Sequence, residues 1–193
     1  MRKRLFFIMG KTNTGKDSIG KYMRERFGLG DVVSYTTRTK RDYEIDDVHH
    51  KFTTPKQMAE IMRGNNVIAY TKNEITGIEY CATLECMTSD DCVYIINPNG
   101  FKWFKENGCL SNVEYKTIFV YAPEDIILQR GIQRGDDKYT LEKRLESERD
   151  EFDEFMLSDE VDFIVRNDSY FEYALTEING IMQIIGGFEN EED

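Results

Sequence analysis

The sequence predicts an α/β fold with three layers, in which a parallel core sheet is covered by helices on both faces. Two observations support this prediction. Short apolar runs alternate along the chain with segments whose apolar residues recur at helical spacing. A glycine-rich turn, GKTNTGKDS, directly follows the first apolar run and precedes the first helical segment. The length of 193 residues suits one well-buried core and is short for two independent domains.

The predicted elements follow in order. Residues 4–9 form the first strand, and the helix after the turn ends at Gly28. A second helix begins at Thr54, because Thr54-Pro55-Lys56-Gln57 combines an N-cap, a proline at the first helical position and a capping-box glutamine, and it runs to about Gly64. Further strands are predicted at 67–71, 92–96, 116–122 and 162–165, and further helices at 101–106, 123–133, 140–156 and 170–185. Trp103 is expected to pack its helix on the sheet.

The composition limits the partners of the chain. Its formal charge of −11 disfavours nucleic acid and anionic lipid, which bind clustered lysine and arginine. The apolar run near the start is shorter than a signal peptide requires, and nothing approaches the ~18 apolar residues of a membrane span. We therefore expect a soluble, cytoplasmic protein with small-molecule substrates. The cysteines and histidines lack the spacing of a zinc site, so reduced thiols are expected at Cys81, Cys86, Cys92 and Cys109.

The glycine-rich turn has the spacing of a phosphate-binding loop, or P-loop. Gly10 and Gly15 flank four residues, and Lys16 follows. Glycines let backbone N–H groups turn toward phosphate oxygens, the helix N-terminus adds positive potential, and the lysine reaches the β- and γ-phosphates. Asp17 stands where serine or threonine usually binds Mg²⁺, and a carboxylate is also a suitable ligand. Ser18 offers a hydroxyl one position later.

Two further groups of cations point to anion binding. Arg38, Lys40 and Arg41 lie within a few residues of one another in an acidic chain, and guanidinium groups bind phosphate in a bidentate way. Arg130 and Arg134 are four apart on a predicted helix and precede a polar, glycine-containing tip. Arginines beside a mobile tip are typical of a segment that covers a nucleotide.

The sequence resembles the guanylate kinase family over nearly the whole chain. The resemblance rests on motifs that occur in the same order along this chain: Gly10 to Asp17, Ser34-x-Thr36-Thr37-Arg38-x-x-Arg41-x-x-Glu44, Lys51-Phe52, Gly77-Ile78-Glu79-Tyr80, Arg130-x-x-x-Arg134-Gly135, Lys143-Arg144-Leu145 and Val165-Arg166-Asn167-Asp168. It implies a P-loop fold and an enzyme that transfers the γ-phosphoryl group of ATP to GMP with Mg²⁺. It also implies one domain, with a core of residues 1–33, 84–129 and 145–193, an acceptor-binding insert of residues 34–83 and a lid of residues 130–144.

The resemblance also implies roles for individual residues. The expected catalytic residues are Lys16, Arg38, Arg130, Arg134 and Arg144. The expected ATP-binding residues are Gly10, Asn13, Thr14, Gly15, Lys16, Asp17, Ser18 and Asn167, of which Asp17 would also hold the metal. The expected acceptor-binding residues are Ser34, Arg38, Arg41, His50, Tyr80 and Asn97.

The base of the acceptor is less well defined by the sequence. The family reads guanine through a glutamate, a hydroxyl and an aspartate, and the matching positions here carry Ala69, Ala82 and Asn97. Glu74 or Thr83 would substitute if the loops are shifted. Two alternatives therefore stay open: a ribose 1,5-bisphosphate phosphokinase, whose loop is similarly spelled Gly-Lys-Asp-Ser, and a non-catalytic guanylate-kinase-like binding module. The oligomeric state is not predicted.

Overall fold

A computed structural model describes residues 3–42, 44–74, 76–107 and 113–186 of the chain. The chain divides into two compact units. Unit one comprises Met1–Leu5, Gly30–Cys92 and Pro98–Glu114, and unit two comprises Phe6–Leu29, Val93–Asn97 and Tyr115–Asp193. The predicted insert, residues 34–83, falls inside unit one; the division into core, insert and lid stays a prediction.

The described strands and helices are interspersed along the chain, as the sequence predicts, but several strands also follow one another directly. The strands are β1 Lys3–Met9, β2 Gly30–Asp31, β3 Tyr35–Thr36, β4 Lys51–Phe52, β5 Val67–Lys72, β6 Glu79–Thr83, β7 Asp91–Ile95, β8 Val113–Tyr121 and β9 Phe163–Arg166. The helices are α1 Lys16–Phe27, α2 Pro55–Ile61, α3 Pro98–Asn107, α4 Glu124–Gln133, α5 Lys138–Met156 and α6 Phe171–Ile185, with a short 3-10 helix at Leu84–Cys86.

The core sheet has the strand order β2-β7-β1-β8-β9. Its strands β8 and β9 pair in parallel, with Ile118 opposite Phe163 and Tyr121 opposite Arg166. In unit two, Ile118 and Val120 belong to an apolar cluster with residues of α1 and α6. The intervening Phe119 contacts Phe152 of α5. Successive residues of β8 thus face helices on opposite sides, which confirms the α/β class with a parallel core sheet.

Unit one contains a second sheet with the order β4-β3-β6-β5. Tyr35 pairs with Lys51 in parallel and with Cys81 in antiparallel register, and Tyr70 pairs with Cys81 from the other side. The face that carries Cys81 packs against Trp103 of α3 and Met58 of α2. Trp103 therefore packs its helix on a sheet, as predicted, but on this second sheet and not on the parallel core sheet. Side chains that alternate with this face point to the opposite side.

The capping signal of α2 is present as predicted. The Thr54 hydroxyl accepts from the Gln57 backbone N–H, and the Gln57 side chain accepts from the Thr54 N–H at 3.0 Å. The sequence analysis missed β2, β3, β4 and β6. Cys81, Cys86 and Cys92 are buried free thiols, as expected, and Cys109 lies outside the described residues. Every helix in the described ranges is too short or too polar to span a bilayer.

Candidate active site

The phosphate-binding loop connects β1 to α1 in unit two, and its two glycines have backbone conformations that other residues rarely adopt. Gly10 has φ +152° and Gly15 has φ +92°. A Cβ atom at Gly10 would run into the Val120 carbonyl oxygen, and one at Gly15 would run into the Asn167 side-chain amide. Both positions therefore require glycine for conformation and for space.

Internal hydrogen bonds fix the shape of this loop. The Thr14 hydroxyl donates to the Lys11 carbonyl oxygen at 2.9 Å, and the Lys16 ammonium donates to the same oxygen at 3.2 Å. The Asn167 amide donates to the Thr14 carbonyl oxygen at 2.8 Å. Burial lowers the pKa of Lys16, and the nearby carboxylates of Asp17 and Glu148 oppose that shift. Lys16 thus lies within the loop, where a phosphate group would compensate its desolvation.

The arginines predicted for the lid lie beside the same loop. Arg130 Nη2 donates to Asn167 Oδ1 at 3.2 Å, and Arg134 Nη2 donates to Asn13 Oδ1. Within the described residues, Arg130 Nη1 is a buried side-chain nitrogen without a hydrogen-bond partner. Burial lowers the pKa of Arg130, which the charge of Asp168 partly offsets. A buried, unpartnered guanidinium nitrogen is costly, so this atom marks where an anion would be stabilised.

Three carboxylates that the sequence analysis did not single out also contact the loop. The Thr12 backbone N–H donates to Glu148 Oε2 at 2.7 Å. Lys11 Nζ lies 2.7 Å from Asp153 Oδ1 and 3.5 Å from Glu124 Oε1. A sequence signal for one of them did exist, because Glu148 follows Arg144 by four residues on α5, the spacing at which helical side chains pair. Arg144 Nε indeed donates to Glu148 Oε1 at 2.8 Å.

The position predicted to hold the metal lies on the first turn of α1. Asp17 and Ser18 are both exposed there, directly after Lys16. The described residues contain no cluster of three or more side chains suited to holding a metal ion. One carboxylate nevertheless fits Mg²⁺ in a nucleotide site, because this ion usually takes one or two protein carboxylates together with water and substrate phosphates.

In unit one, Glu44 organises the basic segment after β3. Its carboxylate accepts from Arg38 Nη1 at 2.6 Å, from Arg38 Nη2, and from the Arg41 backbone N–H at 2.8 Å. The side chains of Glu44 and Arg38 are 5% and 12% exposed. The hydrogen bonds from Arg38 lower the pKa of Glu44 to about 2. Arg38 therefore occupies a fixed position, while the Arg41 residue is exposed.

Ser34, His50 and Tyr80 lie together beside this ion pair. Ser34 Oγ is 3.1 Å from His50 Nδ1, and the His50 ring centroid is 5.8 Å from that of Tyr80. Burial, and next the charge of Arg38, lower the pKa of His50. The imidazole is therefore neutral at pH 7, with one ring nitrogen near Ser34. Four of the predicted acceptor residues, these three and Arg38, thus come together in unit one.

The positions matched to guanine reading do not supply polar groups in unit one. Ala69 and Ala82 are cross-strand partners in β5 and β6, and both are fully buried. The Thr83 hydroxyl lies 3.5 Å from Cys86 Sγ, and Glu74 is an exposed residue of the β5–β6 turn. Asn97 follows β7 and belongs to unit two, so its acceptor role stays a prediction.

Comparisons with known proteins agree with one another. The family model described as "Guanylate kinase" matches residues 2–184. The guanylate kinase of Histophilus somni is 27% identical over 94% of this chain and 88% of its own length. That of Syntrophus aciditrophicus is 30% identical over 92% of this chain and 86% of its own length. The crystal structure of guanylate kinase from Anaplasma phagocytophilum, at 14% identity, has a similar fold, with a TM-score of 0.60 over 100% of this chain and 89% of that one.

Proposed function

The chain belongs to the guanylate kinase family, and from this we propose that it transfers the γ-phosphoryl group of ATP to GMP, forming ADP and GDP. The observation that best supports phosphoryl transfer is the pair of cationic side chains beside the phosphate-binding loop in unit two. Lys16 lies within the loop, and a buried nitrogen of Arg130 has no hydrogen-bond partner among the described residues. Phosphoryl transfer is catalysed chiefly by positioning and charge stabilisation, for which cations of this kind are suited.

In this proposal the donor nucleotide binds in unit two. The loop from Gly10 to Gly15 offers backbone N–H groups to the ATP phosphates, and Lys16 reaches the β- and γ-phosphates. The position of Asn167 supports a role for this residue, because its amide joins Thr14 of the loop to Arg130. Arg130, Arg134 and Arg144 neutralise the negative charge that develops on the transferring group.

Asp17 is the residue we assign to the metal, with Ser18 adjacent. The ion would neutralise part of the charge of the donor phosphates. The assignment is supported by the place of Asp17 on the first turn of α1, directly after Lys16.

The acceptor phosphate is assigned to unit one. Arg38 presents a guanidinium held in place by Glu44, and Arg41 is fixed at its backbone by the same carboxylate. Ser34, His50 and Tyr80 supply further hydrogen-bonding groups. A fixed guanidinium is well suited to bind a phosphate monoester, because less side-chain entropy is lost on binding.

The test is ADP formation from Mg-ATP with separate acceptors: GMP, dGMP, AMP, UMP, CMP and ribose 1,5-bisphosphate. We expect strong preference for GMP, which would mean that groups other than Ala69 and Ala82 read the guanine. Preference for the sugar bisphosphate, or for another nucleotide, would contradict the proposed acceptor. ATP binding without turnover on any acceptor would contradict the assignment as an enzyme.

A variant of the loop lysine tests the donor site. Lys16→Ala should lower kcat about 100-fold or more, because a charge that stabilises the transferring phosphoryl group is lost. Lys21→Ala, on the exposed face of the same helix, is the matched control and should leave kcat unchanged. Circular dichroism should show the same fold in both variants. Near-normal turnover by Lys16→Ala would disprove the assignment of the loop.

A further inference from the structure

The carboxylate of Glu148 occupies a position on the phosphate-binding loop that has the character of an anion site. One oxygen accepts from the Thr12 backbone N–H at 2.7 Å, and the other accepts from Arg144 Nε at 2.8 Å. The side chain is only 15% exposed. A loop amide and an arginine are the two kinds of donor that the proposed function assigns to nucleotide phosphates.

The orientation of α5 explains why this glutamate reaches the loop. Leu141, Leu145 and Phe152 are the buried residues of the helix, at spacings of four and seven. Glu148 lies three residues after Leu145 and four before Phe152, so it falls on the same inward face. Asp153 contacts Lys11 of the loop at 2.7 Å from this helix. The loop is therefore bound by α5 at two points, both through carboxylates.

We infer that Glu148 acts as an internal substitute for a nucleotide phosphate, holding the loop and Arg144 until ATP displaces it. The inference rests on the proposed function and adds a conformational control to its donor site. The Thr12 backbone N–H has a single hydrogen, which Glu148 already accepts, so a phosphate oxygen can bind this amide only in place of the carboxylate. ATP must therefore displace the Glu148 carboxylate from Thr12, and this displacement frees Arg144 to face the phosphates.

The arrangement lowers the apparent affinity for ATP. Only the fraction of molecules in which Glu148 has left the loop is competent to bind, and the apparent Kd rises by the inverse of that fraction. If the contact is formed in about 90% of molecules, its removal tightens ATP binding about tenfold. Adenosine has no phosphate, so its affinity should not change.

The experiment is isothermal titration calorimetry of the full chain with ATP and with adenosine, each with Mg²⁺ and with a chelator. Glu148→Ala should bind ATP about tenfold more tightly than the wild type, and Glu148→Gln, which keeps the shape of the side chain, should change in the same direction. Glu146→Gln is the matched control. Glu146 lies on the same helix, is 64% exposed and pairs with Lys143 away from the loop. The Glu146→Gln substitution removes the same charge as Glu148→Gln and should leave the affinities for ATP and for adenosine nearly unchanged.

Other outcomes would overturn the inference. Unchanged or weaker ATP binding by both Glu148 variants would show that the carboxylate supports the loop or the metal instead of competing with phosphate. If Glu146→Gln bound ATP as much more tightly as the Glu148 variants do, the effect would come from net charge alone. If the Glu148 variants bound adenosine more tightly by the same factor as ATP, the effect would not depend on phosphate. If the wild type binds ATP and the Glu148 variants bind it no more tightly, the inference is wrong but the proposed function stands. If neither the wild type nor any variant binds ATP, the proposed function is also wrong.

Discussion

Replacing Glu44 by glutamine should destabilise unit one and disorder its proposed phosphate site. The carboxylate is 5% exposed and holds both guanidinium ends of Arg38 and the backbone N–H of Arg41. The change leaves the Arg38 guanidinium, which is 12% exposed, without its counter-charge. Removing one partner of a buried ion pair costs about 3–5 kcal/mol, and the slight exposure of this pair places the expected loss near the lower end, at about 3 kcal/mol.

The pH dependence gives this prediction a second, independent measurement. Hydrogen bonds from Arg38 lower the pKa of Glu44 from 4.5 to about 2. A carboxyl group with a lowered pKa in the folded state contributes stability that is fully present above its unfolded pKa and is lost as the pH falls toward the folded pKa. The difference between wild type and Glu44→Gln should therefore be largest at pH 7 and shrink between pH 4.5 and about 2.

Urea unfolding followed by circular dichroism at a series of pH values measures this difference. Glu60→Gln, an exposed change on α2 in the same unit, is the control and should have little effect. Steady-state kinetics should show a higher KM for GMP with the KM for ATP nearly unchanged, because only the acceptor site loses its orientation. A stability difference that stays constant from pH 7 to pH 2.5, or one below about 0.5 kcal/mol at pH 7, would refute the reasoning.

Three further predictions concern the loop, the metal and the histidine. Gly15→Ala should cost about 1–2 kcal/mol of stability and abolish tight ATP binding, because φ +92° strains alanine and its Cβ meets Asn167; calorimetry showing normal binding would contradict this. Asp17→Ser should keep turnover with Mg-ATP, because a hydroxyl is also an oxygen ligand; complete loss would reveal another role for the carboxylate. His50 should titrate below the usual ~6.5 in NMR spectra, assigned by comparison with His49→Gln, and a pKa at or above that value would contradict its burial.

Local signals in the sequence predicted much of the fold. Thr54 and Gln57 mark the start of α2 because a capping box is completed within four residues. The loop between β1 and α1 was predicted for the same reason, since its glycines and lysine act within one turn. The strands β3 and β4 were missed because two residues are too few to show alternation. They exist through pairing, such as that of Tyr35 with Cys81, which lies far away along the chain.

In the candidate site, too, the features set by local sequence could be predicted and those set by distant contacts could not. The motif residues were predictable by position, but the partners that fix them were not. Glu148 reaches the backbone of Thr12 across 136 positions of sequence, and no local pattern records such a contact. Glu44 appeared within a motif, yet its role in holding Arg38 and Arg41 emerged only from the side-chain geometry. Glutamates on a charged chain are too common for their burial to be inferred from spacing alone.

The packing of Trp103 in unit one makes this tryptophan an intrinsic fluorescence probe of that unit. The chain has one tryptophan, and its indole lies against Met58, Val67 and Cys81, with no tryptophan elsewhere to contribute a signal. Indole emission will therefore report the integrity of one unit, whereas circular dichroism sums the helices of both. If the two spectroscopic transitions separate during denaturation, the units lose their structure at different denaturant concentrations. The intact chain then yields a stability for each without a label or a truncation.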